Sequence, residues 1–192
     1  MLLCCTVLAL ARQIGVLHER IAPVGALITD DGPAVGQMVP RFEMRTVGGL
    51  QASVGGPAPD ALRLLLFVAH DCPVCKRIVP LAQRVARAEA RRDPVTLVLI
   101  GDDDPVPLRA MRDRFGVPDS NFLLGAAPGI ALHIGRLPYG VLLDSGSVIR
   151  AKGLVNTREH LESLLAAHET GHPSVQSFLR RHANAGETSD AA

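Results

Sequence analysis

The stretch that most constrains the fold is residues 62–80, LRLLLFVAHDCPVCKRIVP, in which an apolar run leads into the motif CPVC at 72–75. A near-continuous apolar run of this length is typical of a strand that is buried on both faces of a sheet. Pro73 suits the first position of a helix, since the N–H that it lacks would be unpaired there. The sequence therefore predicts a central strand over 62–69 that leads directly to a helix over 73–90.

The two cysteines of the motif have the arrangement of a redox-active pair. Cys72 stands at the predicted helix start, where unpaired backbone N–H groups and the helix dipole stabilise a thiolate. Cys75 follows at the i, i+3 spacing, which puts both sulfurs on one helical face, close enough to bridge. We interpret Cys72 as the exposed attacking thiol and Cys75 as the buried resolving thiol. Their reversible disulfide is the only redox group that we expect, without a further cofactor.

The alternative interpretations are a structural zinc pair or two inert thiols. A closed zinc site needs four ligands at suitable spacing. The other two cysteines, Cys4 and Cys5, lie far away in an apolar run, and no His-x-x-x-His pair accompanies the motif. The acidic turn at 101–107, GDDDPVP, lacks the glutamate spacing of a calcium loop and is interpreted as a solvated loop that caps the next helix. We therefore expect no metal.

Other residues around the cysteines are expected to support the motif. A positively charged imidazole at His70, two residues before Cys72, would favour the thiolate, whereas the neighbouring Asp71 would oppose it. The sequence leaves open which of the two prevails. The residues that we assign to support the motif are His70, Pro73, Val74 and Pro80.

Composition excludes several classes of protein. The chain has 192 residues, 47% of them hydrophobic, which is enough to build a core for one domain with extensions. Its net charge is +1, from 20 basic and 19 acidic residues, so there is no electrostatic case for nucleic-acid binding. Four cysteines are too few for a disulfide scaffold.

The remainder of the chain predicts further strands and helices around this centre. Turn residues separate apolar segments of strand-like and helix-like periodicity. The predicted elements are a hairpin over 39–51, a buried strand over 95–100, a helix over 107–115, a short strand over 121–124, helical turns over 128–134, strands over 139–143 and 148–152, and a final helix from Asn156.

The two ends of the chain differ from the middle. Residues 1–11, MLLCCTVLALA, are apolar but shorter than the roughly 20 residues that a membrane span needs. We interpret them as a truncated-looking membrane anchor, with an N-terminal core helix as the alternative. A Gly- and Pro-rich connector follows over 12–36, then the folded domain over 37–170, and then a polar tail over 171–192.

Three blocks resemble the MauD-type methylamine-utilisation proteins, which are membrane-anchored thioredoxin-like accessory proteins. They are RQIGVLHERIAPVGALITDDGP at 12–33, CPVC, and LPYGVLLDSGSVIRAKGLVNTREHLESL at 137–164. The resemblance implies an α/β thioredoxin-like fold, with a central mixed sheet flanked by helices, an N-terminal hairpin and a short N-terminal apolar helix. In that fold Pro80 would kink the motif helix. Pro138 would follow a cis peptide bond and face the cysteines, and the backbone of Leu137 would pair with a client chain.

The resemblance also implies a function: thiol–disulfide exchange needed for processing, export or maturation of the small subunit of methylamine dehydrogenase, a periplasmic protein rich in disulfides. The domain would then be anchored in the membrane and face the bacterial periplasm. One departure bears on the chemistry, because thioredoxins carry a buried acid six residues before the first cysteine, where this chain has Leu66. The departure favours an oxidase, an isomerase or a slow enzyme dedicated to one client.

Other functions stay open on the sequence. A general periplasmic oxidoreductase of the TlpA or DsbA type would use the same motif. A peroxidase is disfavoured, because Ala69 stands where peroxiredoxins typically carry Thr or Ser. The third alternative, from a different class, is a client-binding chaperone in which Cys72 and Cys75 are incidental.

Overall fold

The computed structural model describes residues 32–57, 62–89 and 94–170. The predicted membrane anchor with its short apolar helix, the first part of the connector and the polar tail lie outside these ranges. The proposed domain boundaries therefore stay predictions. Within the described ranges, no helix combines the length and the apolar character that crossing a bilayer requires.

Seven strands form one mixed sheet, and the motif strand lies inside it. The spatial order is β2-β1-β5-β4-β3-β6-β7. The strands are β1 (Phe42–Thr46), β2 (Gln51–Val54), β3 (Leu62–Phe67), β4 (Val95–Gly101), β5 (Phe122–Leu124), β6 (Tyr139–Leu143) and β7 (Ile149–Leu154).

Strand β3 holds the centre because it is apolar on both faces. It pairs in parallel with β4 and antiparallel with β6, so that Phe67 lies opposite both Ile100 and Tyr139. Its residues alternate between the two faces of the sheet. Leu64 and Leu66 join one buried cluster and Leu65 and Phe67 join the other, which explains the continuous apolar run in the sequence.

In the described part of the chain, four α-helices accompany the sheet: α1 (Pro73–Glu89), α2 (Pro105–Phe115), α3 (Ala127–Ala131) and α4 (Arg158–Thr170). The buried positions of α1 recur at the helical period and include Cys75, Ile78, Val79 and Ala82. They join the same cluster as Leu161 and Leu164 of α4. Helices α1 and α4 therefore cover one face of the sheet, with the second cysteine inside that layer.

Most predicted elements are confirmed, and the deviations have local causes. Helix α2 begins at Pro105 rather than at residue 107, because the carboxylate of Asp104 accepts the N–H of Val106 at 2.8 Å and caps the helix. The final helix begins at Arg158 rather than at residue 156, because the hydroxyl of Thr157 accepts the N–H of His160 at 3.4 Å. The acidic turn thus acts as a helix cap, as predicted, through its last aspartate.

Candidate active site

The cysteine motif lies at the carboxyl end of β3, at the edge where the parallel strands β3 and β4 both end. The N–H of Val68 donates to the carbonyl of Ile100 at 2.9 Å, so the pairing with β4 continues one residue past the strand. The chain then turns within a few residues and α1 begins at Pro73. Cys72 therefore occupies the position directly before the helix, where orphan backbone N–H groups lie.

The two thiols are free and differ in exposure. Cys72 is half-buried, whereas Cys75 is fully buried one turn inside α1. The backbone N–H of Cys75 donates to the Cys72 sulfur at 3.2 Å. A donor aimed at this sulfur stabilises negative charge on it. The structure thus brings together the two predicted redox residues, with the accessible sulfur at the helix start.

Burial sets the protonation state of the second thiol. Burial, with a further contribution from the neighbouring Cys72, raises the pKa of Cys75 to about 12. Leu66, at the strand position where the resemblance implies an acid in thioredoxins, is fully buried and belongs to the same apolar cluster. At neutral pH Cys75 is therefore a protonated thiol that must lose its proton before it can attack a disulfide.

His70, in the loop before the motif, forms a pair with Asp103, a residue that sequence reasoning missed. A single carboxylate oxygen of Asp103 accepts both the backbone N–H of His70 and its ring Nδ1, each at 2.9 Å. Asp103 belongs to the acidic turn after β4, which had been assigned only as a helix cap. The missed signal was topological, because the carboxyl ends of parallel neighbours meet at one edge of the sheet.

This pair carries charge next to the motif. Burial acts to raise the pKa of Asp103, but the hydrogen bonds from the backbone and ring of His70 outweigh it and hold that pKa below its ordinary value. Asp71 adds a second carboxylate. One side-chain nitrogen or oxygen atom from each of Asp71, His70 and Asp103 lies within 4.8 Å of the other two. The hydrogen bonds between His70 and Asp103 connect the loop before Cys72 to the loop after β4.

The Leu137–Pro138 segment lies at the same end of the sheet. The peptide bond between the two residues is cis. Strand β6 begins at the next residue, Tyr139, which pairs with Phe67 of β3, so the segment stands beside the chain that leads to Cys72. Pro138 is buried and Leu137 is 38% exposed. The apolar side chain of Leu137 is thus partly exposed at the end of the sheet where β3 leads into the motif.

The remaining residues assigned to support the motif all belong to α1. Pro73 is exposed at its first position, and Val74 is half-buried and packs against the cluster that contains Cys75. Pro80 lies inside the helix and is half-buried. Their roles stay predictions.

Similar proteins bear the name of one family. No family model matches the chain. The chain is 44% identical over 182 residues to methylamine utilization protein MauD of Methylorubrum extorquens, covering 92% of this chain and 86% of that protein. It is 43% identical over 173 residues to MauD of Paracoccus denitrificans, covering 90% and 84%.

Solved structures establish the fold class. A thioredoxin-like protein from Aeropyrum pernix superimposes with a TM-score of 0.53 at 20% identity, covering 66% of this chain and 88% of that one. A thiol:disulfide interchange protein from a Bacteroides species superimposes with a TM-score of 0.56 at 16% identity, covering 70% and 90%. The predicted thioredoxin-like fold is thereby confirmed.

Proposed function

The chain belongs to the MauD family of methylamine utilisation proteins, and on that premise we propose that it is a protein thiol–disulfide oxidoreductase acting through Cys72 and Cys75. The observation that carries this proposal is the pairing of an accessible and a buried free cysteine one helical turn apart, with the Cys75 N–H donating to the Cys72 sulfur at 3.2 Å. The helix N-terminus favours negative charge on the first sulfur.

The exchange proceeds in two steps that balance. The Cys72 thiolate attacks one sulfur of a client disulfide, so that a Cys72–client bond forms while the client S–S bond breaks and a client thiolate leaves. Cys75 then loses its proton and attacks the Cys72 sulfur, which releases the second client thiolate. Two electrons and two protons pass to the client, and Cys72 and Cys75 become a disulfide. The reverse sequence oxidises a client dithiol.

The second step is the one that this site retards. Cys75 must be deprotonated although burial raises its pKa to about 12, and the neighbouring strand position is the apolar Leu66. A protein with this arrangement holds its mixed disulfide for longer than one with a buried acid there. Slow resolution suits an enzyme dedicated to one client.

The proposed client is the small subunit of methylamine dehydrogenase. The family name supports a role in methylamine utilisation, and the resemblance of the three sequence blocks supports disulfide formation during maturation of that subunit. On this proposal the domain works in the bacterial periplasm, tethered to the membrane by residues 1–11, because structural disulfides form in oxidising compartments. It needs no cofactor beyond its own disulfide.

Trapping tests the chemistry and the client together. In cells producing a Cys75→Ser variant, the mixed disulfide cannot be resolved, and mass spectrometry of the trapped species should identify the small subunit bound through Cys72. A Cys72→Ser variant is the matched control and should trap nothing. A trapped partner other than the small subunit would refute the client assignment while leaving the exchange chemistry intact.

A second test separates the enzyme from a client-binding chaperone. A Cys72→Ser, Cys75→Ser double variant should leave the small subunit unstable or wrongly cross-linked, as in a strain that lacks the gene, while an unrelated periplasmic protein with one disulfide matures normally. Normal maturation with the double variant would favour the chaperone.

A further inference from the structure

The proposed exchange requires a group that accepts the proton of Cys75. That thiol is fully buried, and its pKa of about 12 keeps it protonated at neutral pH. Leu66, which stands where the resemblance implies an acid in thioredoxins, lies in the same apolar cluster and offers no acceptor. Since the thiolate is the attacking form, Cys75 cannot resolve a mixed disulfide until its proton leaves. A base at another position of the site would supply this step.

His70 lies in the loop that joins β3 to the cysteine motif. It follows Ala69, whose backbone is hydrogen-bonded to the Cys75 side chain, and it precedes Cys72 by two residues. The His70 side chain is 37% exposed, so its ring is open to water at this end of the sheet. The loop that carries the imidazole is thus in contact with the buried thiol and leads directly to the accessible one.

The Asp103 carboxylate determines which ring nitrogen of His70 carries the proton. Its Oδ2 lies 2.9 Å from Nδ1 and also accepts the His70 backbone N–H at 2.9 Å. Although burial acts to raise the pKa of Asp103, the hydrogen bonds from His70 hold it below its ordinary value, so the group is ionised at neutral pH and can only accept. In the neutral ring Nδ1 is therefore the donor, and Nε2 carries the lone pair that takes up a proton.

The surroundings of the ring favour proton uptake at Nε2. Within the described residues, the ring's hydrogen bond is the one to Asp103, and it engages Nδ1. The charged groups found beside the ring are the carboxylates of Asp71, on its own loop, and of Asp103, on the turn after β4. The titratable thiols of Cys72 and Cys75 follow in the motif. Two neighbouring carboxylates stabilise the imidazolium that forms when Nε2 accepts a proton.

We propose that His70 accepts the proton of Cys75 in the resolution step and that Asp103 is the residue that positions its ring. The inference rests on the proposed thiol–disulfide exchange and adds a base to that site. Nε2 takes the Cys75 proton, directly or through one water, while the Cys75 sulfur bonds to the Cys72 sulfur and the Cys72–client bond breaks. The client thiolate that leaves takes the proton from the imidazolium, which returns the ring to its neutral form.

A chromogenic disulfide separates the two steps in the full-length protein. Excess dithiodipyridine releases one thiopyridone when Cys72 attacks it and a second when Cys75 resolves the mixed disulfide. Only the second release is independent of the reagent concentration, because it is intramolecular. His70→Asn should slow the second release at least about ten-fold and leave the first within about two-fold.

Chemical rescue distinguishes a base from a merely structural residue. In His70→Ala, imidazole added to the buffer should speed the second release again, because a free imidazole can take the proton in place of the missing ring. The first release should not respond to imidazole. A histidine that only holds the loop in place would not be replaced by a small base in solution, so absence of rescue would refute the assignment.

Asp103→Asn tests the positioning role. An amide can donate as well as accept, so it no longer fixes the proton on Nδ1 of His70, and the second release should slow at least about three-fold. Added to His70→Asn, the same substitution should cause no further loss, because Asp103 acts through the ring. A further loss in the double variant would show that Asp103 acts independently and would overturn its positioning role.

The matched control is His133→Asn. His133 is an exposed histidine at the same end of the sheet, and asparagine tolerates its φ of 52°. Both releases should keep the parent rates. A second release that His70→Asn leaves unchanged, or a loss confined to the first release, would refute the proposal; the latter would assign the imidazole to the Cys72 thiolate. If the parent protein releases one thiopyridone or none, the proposed exchange through both cysteines is itself wrong, which is a separate result.

Discussion

At its amino end, strand β3 is held by a polar network, and at its carboxyl end it leads to the free, partly exposed cysteine Cys72. Arg63, at the amino end, donates through Nη2 to the Gly56 carbonyl at 2.9 Å and to the hydroxyl of Ser147, which itself donates to Gly56. Ser147 is fully buried. At the carboxyl end Cys72 is half-buried and Leu137 stays exposed.

The two ends of β3 therefore have different roles on the proposed function. The amino end contributes to stability, and the carboxyl end contributes to reactivity. Burial lowers the pKa of the Arg63 guanidinium, and the charge of Asp144 partly opposes that effect. Groups of this kind stabilise a fold because breaking them leaves buried polar atoms without partners. The carboxyl end instead leaves the apolar side chain of Leu137 partly uncovered, and on the proposed function this is the end that meets the client.

The largest expected effect is on exchange activity. Cys72→Ser should lower the rate of disulfide exchange by at least about a thousand-fold, because the thiol that remains, Cys75, is buried and has a pKa of about 12. Its urea unfolding curve should match that of the parent protein. Exchange kinetics with a disulfide peptide check the first part. Residual activity near the parent level would show that the carboxyl end of β3 is not the reactive end.

The second effect distinguishes the two sulfurs at that end. In the reduced protein at pH 8, iodoacetamide should label Cys72 at least about a hundred-fold faster than Cys75, since a thiol with a pKa of about 12 is roughly 0.01% thiolate at that pH. Peptide mapping by mass spectrometry measures the ratio. Labelling of Cys75 should rise steeply as the pH is raised towards its pKa, and preferential labelling of Cys75 at pH 8 would reverse the assigned roles.

The third effect is on stability alone and lies at the amino end. Arg63→Met should lower the free energy of unfolding by about 1–3 kcal/mol, because it removes the donors to Gly56 and Ser147. Urea denaturation measures the loss, and exchange activity should stay within about two-fold of the parent. If Arg63→Met lost activity without losing stability, the assignment of stability to the amino end and reactivity to the carboxyl end would be wrong.

The smallest expected effect concerns the hydrogen bonds between Asp103 and His70, near the carboxyl end of β3. Asp103→Asn should destabilise the protein by about 1 kcal/mol at pH 7, through loss of the charged acceptor for His70. Because the folded pKa of Asp103 lies below its unfolded value, the carboxylate stabilises the fold above that unfolded value, near pH 4, and the contribution disappears as pH falls through the folded pKa.

The matched control for the Asp103–His70 hydrogen bonds is Asp102→Asn. Asp102 is an exposed carboxylate one residue earlier in the same turn. It should leave the free energy of unfolding within about 0.5 kcal/mol of the parent at pH 7. Unfolding curves measured at pH 3 and pH 7 for the parent and both variants compare them directly. Equal effects of the two substitutions would show that general surface charge, and not the contact with His70, is responsible.

The sequence by itself determined the elements whose signals are local. The apolar run of β3 could be recognised as a strand buried on both faces, and Pro73 fixed the helix start that follows it. The spacing of Cys72 and Cys75 depends only on helical geometry, so the pair could be identified without a structure. The predicted starts of α2 and α4 were each wrong by two residues. In the structure the capping hydrogen bonds come from Asp104 and Thr157, which the sequence did not single out.

Only the tertiary structure decided the contacts between residues distant in sequence. His70 and Asp103 are separated by 33 positions, and they meet because β3 and β4 run in parallel and end at one edge of the sheet. A cleft of about 310 Å³ likewise combines the ends of these strands with the segment between β5 and β6. The pKa of Cys75 depends on how completely α1 is packed against the sheet, a property of the assembled core that residue spacing does not encode.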